Sequence, residues 1–324
     1  MNGERNSNKK IIFGGIILIL ISISVILYGY YQKYEIVLKN IEIQKNLESS
    51  IEILIVGDMM LDRNVRNIID KKGFEHFFAG VKDLVQGADI AVANLEGPFT
   101  IYPSVTASLK NKALHFTFDP ALALALADLG FDILGLANNH TMNFGSDGFE
   151  MTKRFIGSSG MSYYGDPNNK DELSTIITKN GIRVGFVGFH EFTYYNFDKI
   201  FAEVARLRPE VDVLIVSPHW GPEYETQPTE KMVKWAHQFI DLGADAVIGA
   251  HPHVVGQTED YKGKKIFYSL GNFAFDQYFS EATMNGLGVI IKVEKNKDKF
   301  DLKYKEIPIR VDREGVRVAT TTFP

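Results

Sequence analysis

Val213-Leu214-Ile215-Val216-Ser217-Pro218-His219-Trp220-Gly221 runs from apolar residues into a histidine, and Ala246-Val247-Ile248-Gly249-Ala250-His251-Pro252-His253-Val254 repeats the pattern. A short, β-branched apolar run bounded by Gly or Pro reads as a buried strand, so both stretches place histidines where strands end. In α/β proteins the loops at those ends converge on one edge of the sheet, and sites are built there. Outward along the chain, Gly57-Asp58 follows the apolar run 51–56, Asn94-Leu95-Glu96 follows 89–93, and Asn138-Asn139-His140 follows 131–136. Asp, Glu, Asn and His together are a donor set for divalent cations. One shared metal centre accounts for all these strand ends.

The same runs organise the rest of the chain. Strands at 51–56, 89–93, 131–136, 211–216 and 246–248 alternate with helices expected at 74–85, 119–129, 148–156 and 229–242. That alternation indicates βαβ units and a largely parallel sheet. Residues 173–177 and 182–189 flank Asn180-Gly181, a dipeptide that favours the tight primed turn of a hairpin. The C-terminal runs 264–270, 286–294 and 301–311 read as antiparallel, and the lysines between 292 and 305 alternate with acids as on a solvated hairpin. The expected fold class is α/β with two mixed sheets.

Composition excludes several functions. With 324 residues, 45% hydrophobic, and a formal charge of −5, the chain has no nucleic-acid footprint. The absence of cysteine rules out disulfides, thiolate metal sites and cysteine nucleophiles. No Gly-x-Ser-x-Gly elbow and no phosphate-binding glycine loop occurs, and Ser217 and Ser269 fall inside strand-like runs. Residues 11–31 form an uncharged run, long enough for a membrane-crossing helix of about 20 residues. A cleaved signal peptide and a buried core helix are the alternatives. No pair of small residues is spaced for cleavage, nothing polar interrupts the run, and its closing tyrosines resemble an interfacial belt. Arg5, Lys9 and Lys10 precede it and Lys33, Lys39 and Lys45 follow, so the charge bias toward a cytoplasmic N-terminus is weak. The expected organisation is a cytoplasmic segment 1–10, a transmembrane anchor 11–31, a stalk 32–50 and an extracytoplasmic domain 51–324.

Each candidate ligand also has a plainer reading. Asp58 alone reads more often as a helix cap, and Glu96 as a loop residue. Asn139-His140, after a strand, is costly to leave unpaired near a core. His251 and His253 are two apart, so in extended chain their side chains leave one face, and Pro252 stiffens the pair. Trp220 and Gly221 beside His219 suggest a shaped pocket. His237 shares the apolar stripe of a helix and reads as packing. His76 and His115 read as surface or packing residues, and His190, ending the run 182–189, as a residue that lines the cleft.

Taken in order, Gly57-Asp58-Met59-Met60-Leu61-Asp62-Arg63, Asn94-Leu95-Glu96-Gly97, Ala137-Asn138-Asn139-His140, His219-Trp220-Gly221, Gly249-Ala250-His251-Pro252-His253 and Tyr268-Ser269-Leu270-Gly271-Asn272-Phe273 resemble the capsule-synthesis CapA family. This is the poly-γ-glutamate biosynthesis family, related to the calcineurin-like metallophosphatases. The resemblance implies a four-layer αββα sandwich and a dinuclear centre between the sheet ends. It implies that Asp58, Glu96, Asn139, His219, His251 and His253 ligate two divalent cations (Mn, Fe, Zn or Mg), and that His140 protonates a leaving group. Three positions depart from the pattern of metallophosphatases. Met60 stands where a histidine is usual, Glu96 replaces the bridging aspartate in this family's manner, and Asn143 replaces an aspartate three residues after His140.

The implied function is a membrane-anchored protein of capsule or poly-γ-glutamate synthesis that hydrolyses a phosphoester or amide, with Arg63 or Asn272 orienting the anion. The alternative is a non-catalytic subunit that binds polyglutamate or another anionic envelope polymer beside membrane synthase subunits. A solute receptor would leave the strand-end histidines without a reason.

Overall fold

The computed structural model describes residues 21–40, 50–106, 114–193, 197–297 and 299–320. The chain divides into two units, Met1–Ser49 and Ser50–Pro324. In the first, residues 21–40 form one helix with every residue exposed, large apolar ones such as Leu27, Tyr31 and Leu38 included. The helix runs past position 31 unbroken, so the expected boundary between anchor and stalk is not a boundary of secondary structure. Residues 1–20, which hold the expected cytoplasmic segment and the first part of the uncharged run, lie outside the described residues, as do 41–49 of the stalk. Among the described residues, no helix is long and apolar enough to cross a membrane.

The strands of the second unit are β1 (Ser50–Met59), β2 (Ile90–Leu95), β3 (Ile133–Gly135), β4 (Ser162–Tyr164), β5 (Ser174–Lys179), β6 (Ile182–His190), β7 (Val213–His219), β8 (Ala246–Ile248), β9 (Thr258–Tyr261), β10 (Lys264–Phe267), β11 (Asn272–Ala274), β12 (Asn285–Asn296), β13 (Lys299–Asp312) and β14 (Gly315–Val318). One sheet has the order β14-β13-β12-β1-β2-β3-β4, with β11 pairing β1, and the other β5-β6-β7-β8-β10-β9. In the first, β1 to β4 are parallel while β12 joins β1 antiparallel. In the second, β6, β7, β8 and β10 are parallel between antiparallel edges. Both sheets are mixed, as expected.

Alternation along β1 shows why the sheets stack. Ile51, Ile53 and Ile55 point between the sheets and meet Val184, Phe186, Val213, Ile215 and Ile248 of the other. Leu54 and Val56 point the opposite way, onto Val65, Ile69, Leu126 and Ile156 of the helices outside. The second sheet does the same, with Val187, Leu214, Val216 and Val247 packed on Ile200, Val204, Ala236 and Phe239 of its own helices. The period-two pattern thus feeds apolar layers on both faces of each sheet, giving helix, sheet, sheet, helix. Each fully buried Ile, Val, Leu or Phe side chain there stabilises the fold by roughly 1.5–3 kcal/mol.

Local details confirm some expectations and correct others. Asn180 and Gly181 have φ of 50° and 74° between β5 and β6, the conformation a primed hairpin turn needs. The single helix expected at 74–85 is two short ones, Phe74–Phe78 and Lys82–Gln86. Between them Gly80 bridges to Arg317 so closely that a Cβ would lie 2.4 Å from the arginine's own. The strand expected at 264–270 ends at Phe267, after which the chain leaves the second sheet and joins the first as β11. Gly57 permits that crossing, since a Cβ there would lie 1.9 Å from the Gly271 carbonyl oxygen, which accepts from Asp58 N at 3.0 Å.

Candidate metal centre

Every strand end singled out by the sequence arrives at one place. Asp58 comes from the end of β1, Glu96 from just beyond β2, Asn139 from the turn after β3, His219 from the end of β7, and His251 and His253 from the loop after β8. Asp58 and Glu96 are fully buried, and His219, His251 and His253 almost so. Two groups of ligand atoms lie within reach of a single ion each: Glu96 with His219 and His251, and Asp58 with Glu96 and His253. Glu96 belongs to both.

The donor chemistry fits cations. Both carboxylate oxygens of Glu96 are buried without a hydrogen-bond partner, which in a protein interior costs several kcal/mol unless a positive charge answers it. Burial accordingly pushes the Glu96 carboxyl well above the usual range. His219 Nε2 lies 2.9 Å from Asn139 Oδ1 and 3.1 Å from His251 Nδ1. One ring proton can satisfy only one of these contacts, whereas one cation satisfies all the atoms that converge there.

Electrostatics separates the imidazoles. Burial lowers His219 well below the ordinary histidine value and His251 to about 3, with neighbouring histidines adding to both. They are therefore neutral and hold lone pairs for a metal. Burial also opposes charge on His253, but the Glu96 charge and the Asp58 hydrogen bond outweigh it and raise the group to about 9. Its Nδ1 is 3.1 Å from Asp58 Oδ2 and its Nε2 3.6 Å from Glu96 Oε1.

The histidine pair reaches the centre differently from expectation. Instead of extended chain, His251 and His253 have φ of 98° and 58°, sparsely populated backbone for side chains with a Cβ. The His251 amide, which donates to Asp58 Oδ2 at 3.1 Å, helps hold that turn. The ring of Phe192 lies 4.2 Å from that of His251 and is itself 44% exposed, marking the mouth of the site.

His140 stands beside these groups. Its Nε2 is 3.9 Å from Glu96 Oε1, and its Nδ1 is 3.2 Å from Asn143 Oδ1, which also accepts the Phe116 amide at 2.6 Å. Asn143 thus holds the ring as an aspartate there would, without the negative charge, and burial lowers His140 to about 4. Arg63 lies at the rim, its guanidinium 5.8 Å from the Phe116 ring and 3.1 Å from Asp276 Oδ1. Asn272, expected to orient an anion, is fully buried, with its amide engaged by His253, Gln277 and Thr283. Met60 is fully buried among apolar side chains, and its sulfur accepts the Asp62 amide at 3.1 Å.

His190 ends β6 beside His219 in register, and its Nε2 contacts the Pro167 carbonyl oxygen at 2.5 Å. His237 pairs with Glu259 and stacks on Tyr261, away from either ligand group. Sequence reading passed over two supporting amides. Asn94 Nδ2 donates to Asp58 Oδ1 at 2.7 Å, and Asn138 Nδ2 donates to Asn94 Oδ1 and the Leu95 carbonyl. Their place inside the same strand-end clusters was the available signal. Phe116 and Phe192 carried none.

Residues 52–277 match the family model described as bacterial capsule synthesis protein PGA_cap. The chain is similar to the capsule biosynthesis protein CapA of Bacillus anthracis, 28% identical over 294 residues that span 85% of this chain and 71% of the relative. It is also similar to the PGA biosynthesis protein CapA of Bacillus subtilis, 30% identical over 242 residues that span 68% of this chain and 62% of the relative. Among solved structures, its fold resembles a hypothetical protein from Thermus thermophilus (TM-score 0.52, 16% identity, 80% of this chain and 99% of that one). It likewise resembles a novel phosphatase of Mycoplasma pneumoniae (TM-score 0.51, 17% identity, 81% and 94%). With more than half its length under the family model, the chain belongs to the bacterial capsule synthesis proteins of the PGA_cap family.

Proposed function

We propose that this capsule-synthesis protein holds two divalent cations and acts as a hydrolase on a phosphoester or amide of an anionic envelope polymer, polyglutamate being the candidate that the family resemblance suggests. The observation that carries the reading is Glu96, buried with both oxygens unpartnered between two ligand groups. Glu96, Asn139, His219 and His251 would hold one cation, and Asp58, Glu96 and His253 the other. The oxygen and imidazole donors suit Mn, Fe, Zn or Mg. When bound, such a pair supplies Lewis-acid stabilisation to an anion and makes water more acidic. His140 Nδ1–H is held by Asn143, so Nε2, on the Glu96 side of the ring, is the atom that would take up a proton and pass it to a leaving group. Arg63, partly exposed beside Phe116, would meet the anion at the rim.

The two positions are unequal in this reading. The one on Asp58 has fewer protein ligands, and the Met60 sulfur is already engaged by the Asp62 amide. That inequality favours a second reading, a binding or export subunit in which one tightly held cation receives polymer carboxylates without turnover. The uncharged run 11–31 supports a single-pass membrane anchor; in this reading the domain lies outside, with synthase subunits nearby. Metal content of the purified protein tests the central claim: about two equivalents in the parent, and most of it lost in His251→Ala with His253→Ala. Equal metal in the double variant would sink the assignment. Protease added to intact cells tests the topology, and full protection of the domain until lysis would reverse it.

A further inference from the structure

We infer that Asn272 is a positioning residue for His253, fixing which ring nitrogen faces the centre; the inference rests on the metal reading above. The register of the first sheet pairs Asp58 with Asn272 across β1 and β11, so their side chains emerge side by side. Asn272 is fully buried, and the direction of its amide is determined by its neighbours. Nδ2 lies 2.9 Å from the Thr283 carbonyl oxygen and 3.1 Å from Gln277 Oε1. A backbone carbonyl only accepts, so the amide nitrogen must be on that side and Oδ1 on the other.

Oδ1 lies 3.0 Å from His253 Nδ1, and Asp58 Oδ2 lies 3.1 Å from the same nitrogen. Both oxygens accept, so Nδ1 carries the hydrogen and Nε2 is the nitrogen presented toward Glu96. A ligating histidine commonly has its other ring nitrogen held by such an acceptor, which sets tautomer and angle. Asp58 alone is a poor guardian of that hydrogen, because its carboxylate is itself in a ligand group. Asn272 has its Oδ1 turned to His253 by the partners of its Nδ2, so it keeps that acceptor in place when a cation draws on Asp58. Gln277 and Thr283 keep the amide from flipping. Thr283 Oγ1 donates to the Gln277 carbonyl at 2.6 Å, closing the segment on itself.

The test is Mn²⁺ affinity by calorimetry on the full chain, for Asn272→Leu, Asn272→Asp and Gln277→Leu, each in the parent and in a His253→Ala background. Asn272→Leu should weaken Mn²⁺ about 10- to 100-fold, and Asn272→Asp, which keeps the acceptor, should restore most of that. In the His253→Ala background Asn272→Leu should cost nothing further, because its effect runs through that ring. Gln277→Leu, which leaves Asn272 in place, should give a smaller loss with the same dependence on His253 and decides the matter if Asn272→Leu does not fold. Equal losses in both backgrounds, or none in either, overturn the inference while leaving the metal centre standing. A parent that binds no Mn²⁺ and carries no other divalent metal overturns the metal reading and this inference with it.

Discussion

The ends of β1, β2 and β3 bring oxygen to the centre, through Asp58, Glu96 and Asn139, whereas the ends of β7 and β8 bring ring nitrogen, through His219, His251 and His253. On the oxygen side none of Asp58, Glu96 and Asn139 has a positive φ, and the side is shored by amides, Asn138 to Asn94 to Asp58. On the nitrogen side, His251 and His253 sit in left-handed backbone, a conformation that costs about 1–3 kcal/mol per residue and persists only when surroundings over-determine it. Neither sheet carries a complete ligand group, since each group includes Glu96 from one sheet and histidine from the other. Packing of the sheets is therefore a condition for the chemistry, and the strained half depends on the braced half through the bond from the His251 amide to Asp58.

The largest effect should come from the residue both groups share. Glu96→Gln removes the bridging charge and should abolish metal retention, measured by elemental analysis, while the metal-free protein melts no lower, because a buried carboxylate without a hydrogen-bond partner is gone. Retained metal would mean that the histidine side suffices, and the comparison would fail. Next is His140→Gln, which should leave metal content intact yet cost about 10²- to 10⁴-fold in the rate on a phosphodiester. Normal polymer production by this variant, alongside failure of His251→Ala, would instead favour the binding subunit.

Acid and base should distinguish the imidazoles from one another. His140 and His251, at about 4 and 3, lie below the unfolded histidine value, so the unfolded chain binds more protons and metal-free stability falls as pH drops below about 6.5. His253, raised to about 9, contributes stability that is complete below about 6.5 and lost as pH climbs through 9. Thermal midpoints of metal-free protein should thus peak near neutrality, with His251→Ala flattening the acid limb and His253→Ala the alkaline one. A midpoint that stays level across both limbs would contradict the buried charges assigned here. The smallest effect is expected from Met60→His, which offers a nitrogen to the position with fewer ligands but must first give up the sulfur bond to Asp62. A modest rise in metal stoichiometry is expected, and none at all would place that side chain outside the site.

Sequence alone determined the alternation of strands and helices, the primed turn at Asn180-Gly181, the mixed sheets and the residues at the strand ends, because hydrophobic period and turn chemistry are local. The motifs in order also carried the family. Local pattern could not show that Gly80 breaks the helix expected at 74–85, since the cause is a contact with Arg317, far along the chain. Nor could it show that the chain crosses between sheets after Phe267, which makes Asn272, expected to orient an anion, a buried neighbour of His253. The histidine pair was legible as candidate ligands but not in its conformation, because the left-handed turn is held by the long-range bond from His251 to Asp58. Residue type is written in the sequence, whereas distance between strand ends arises only when two sheets pack, and it is that packing which makes six dispersed side chains one centre.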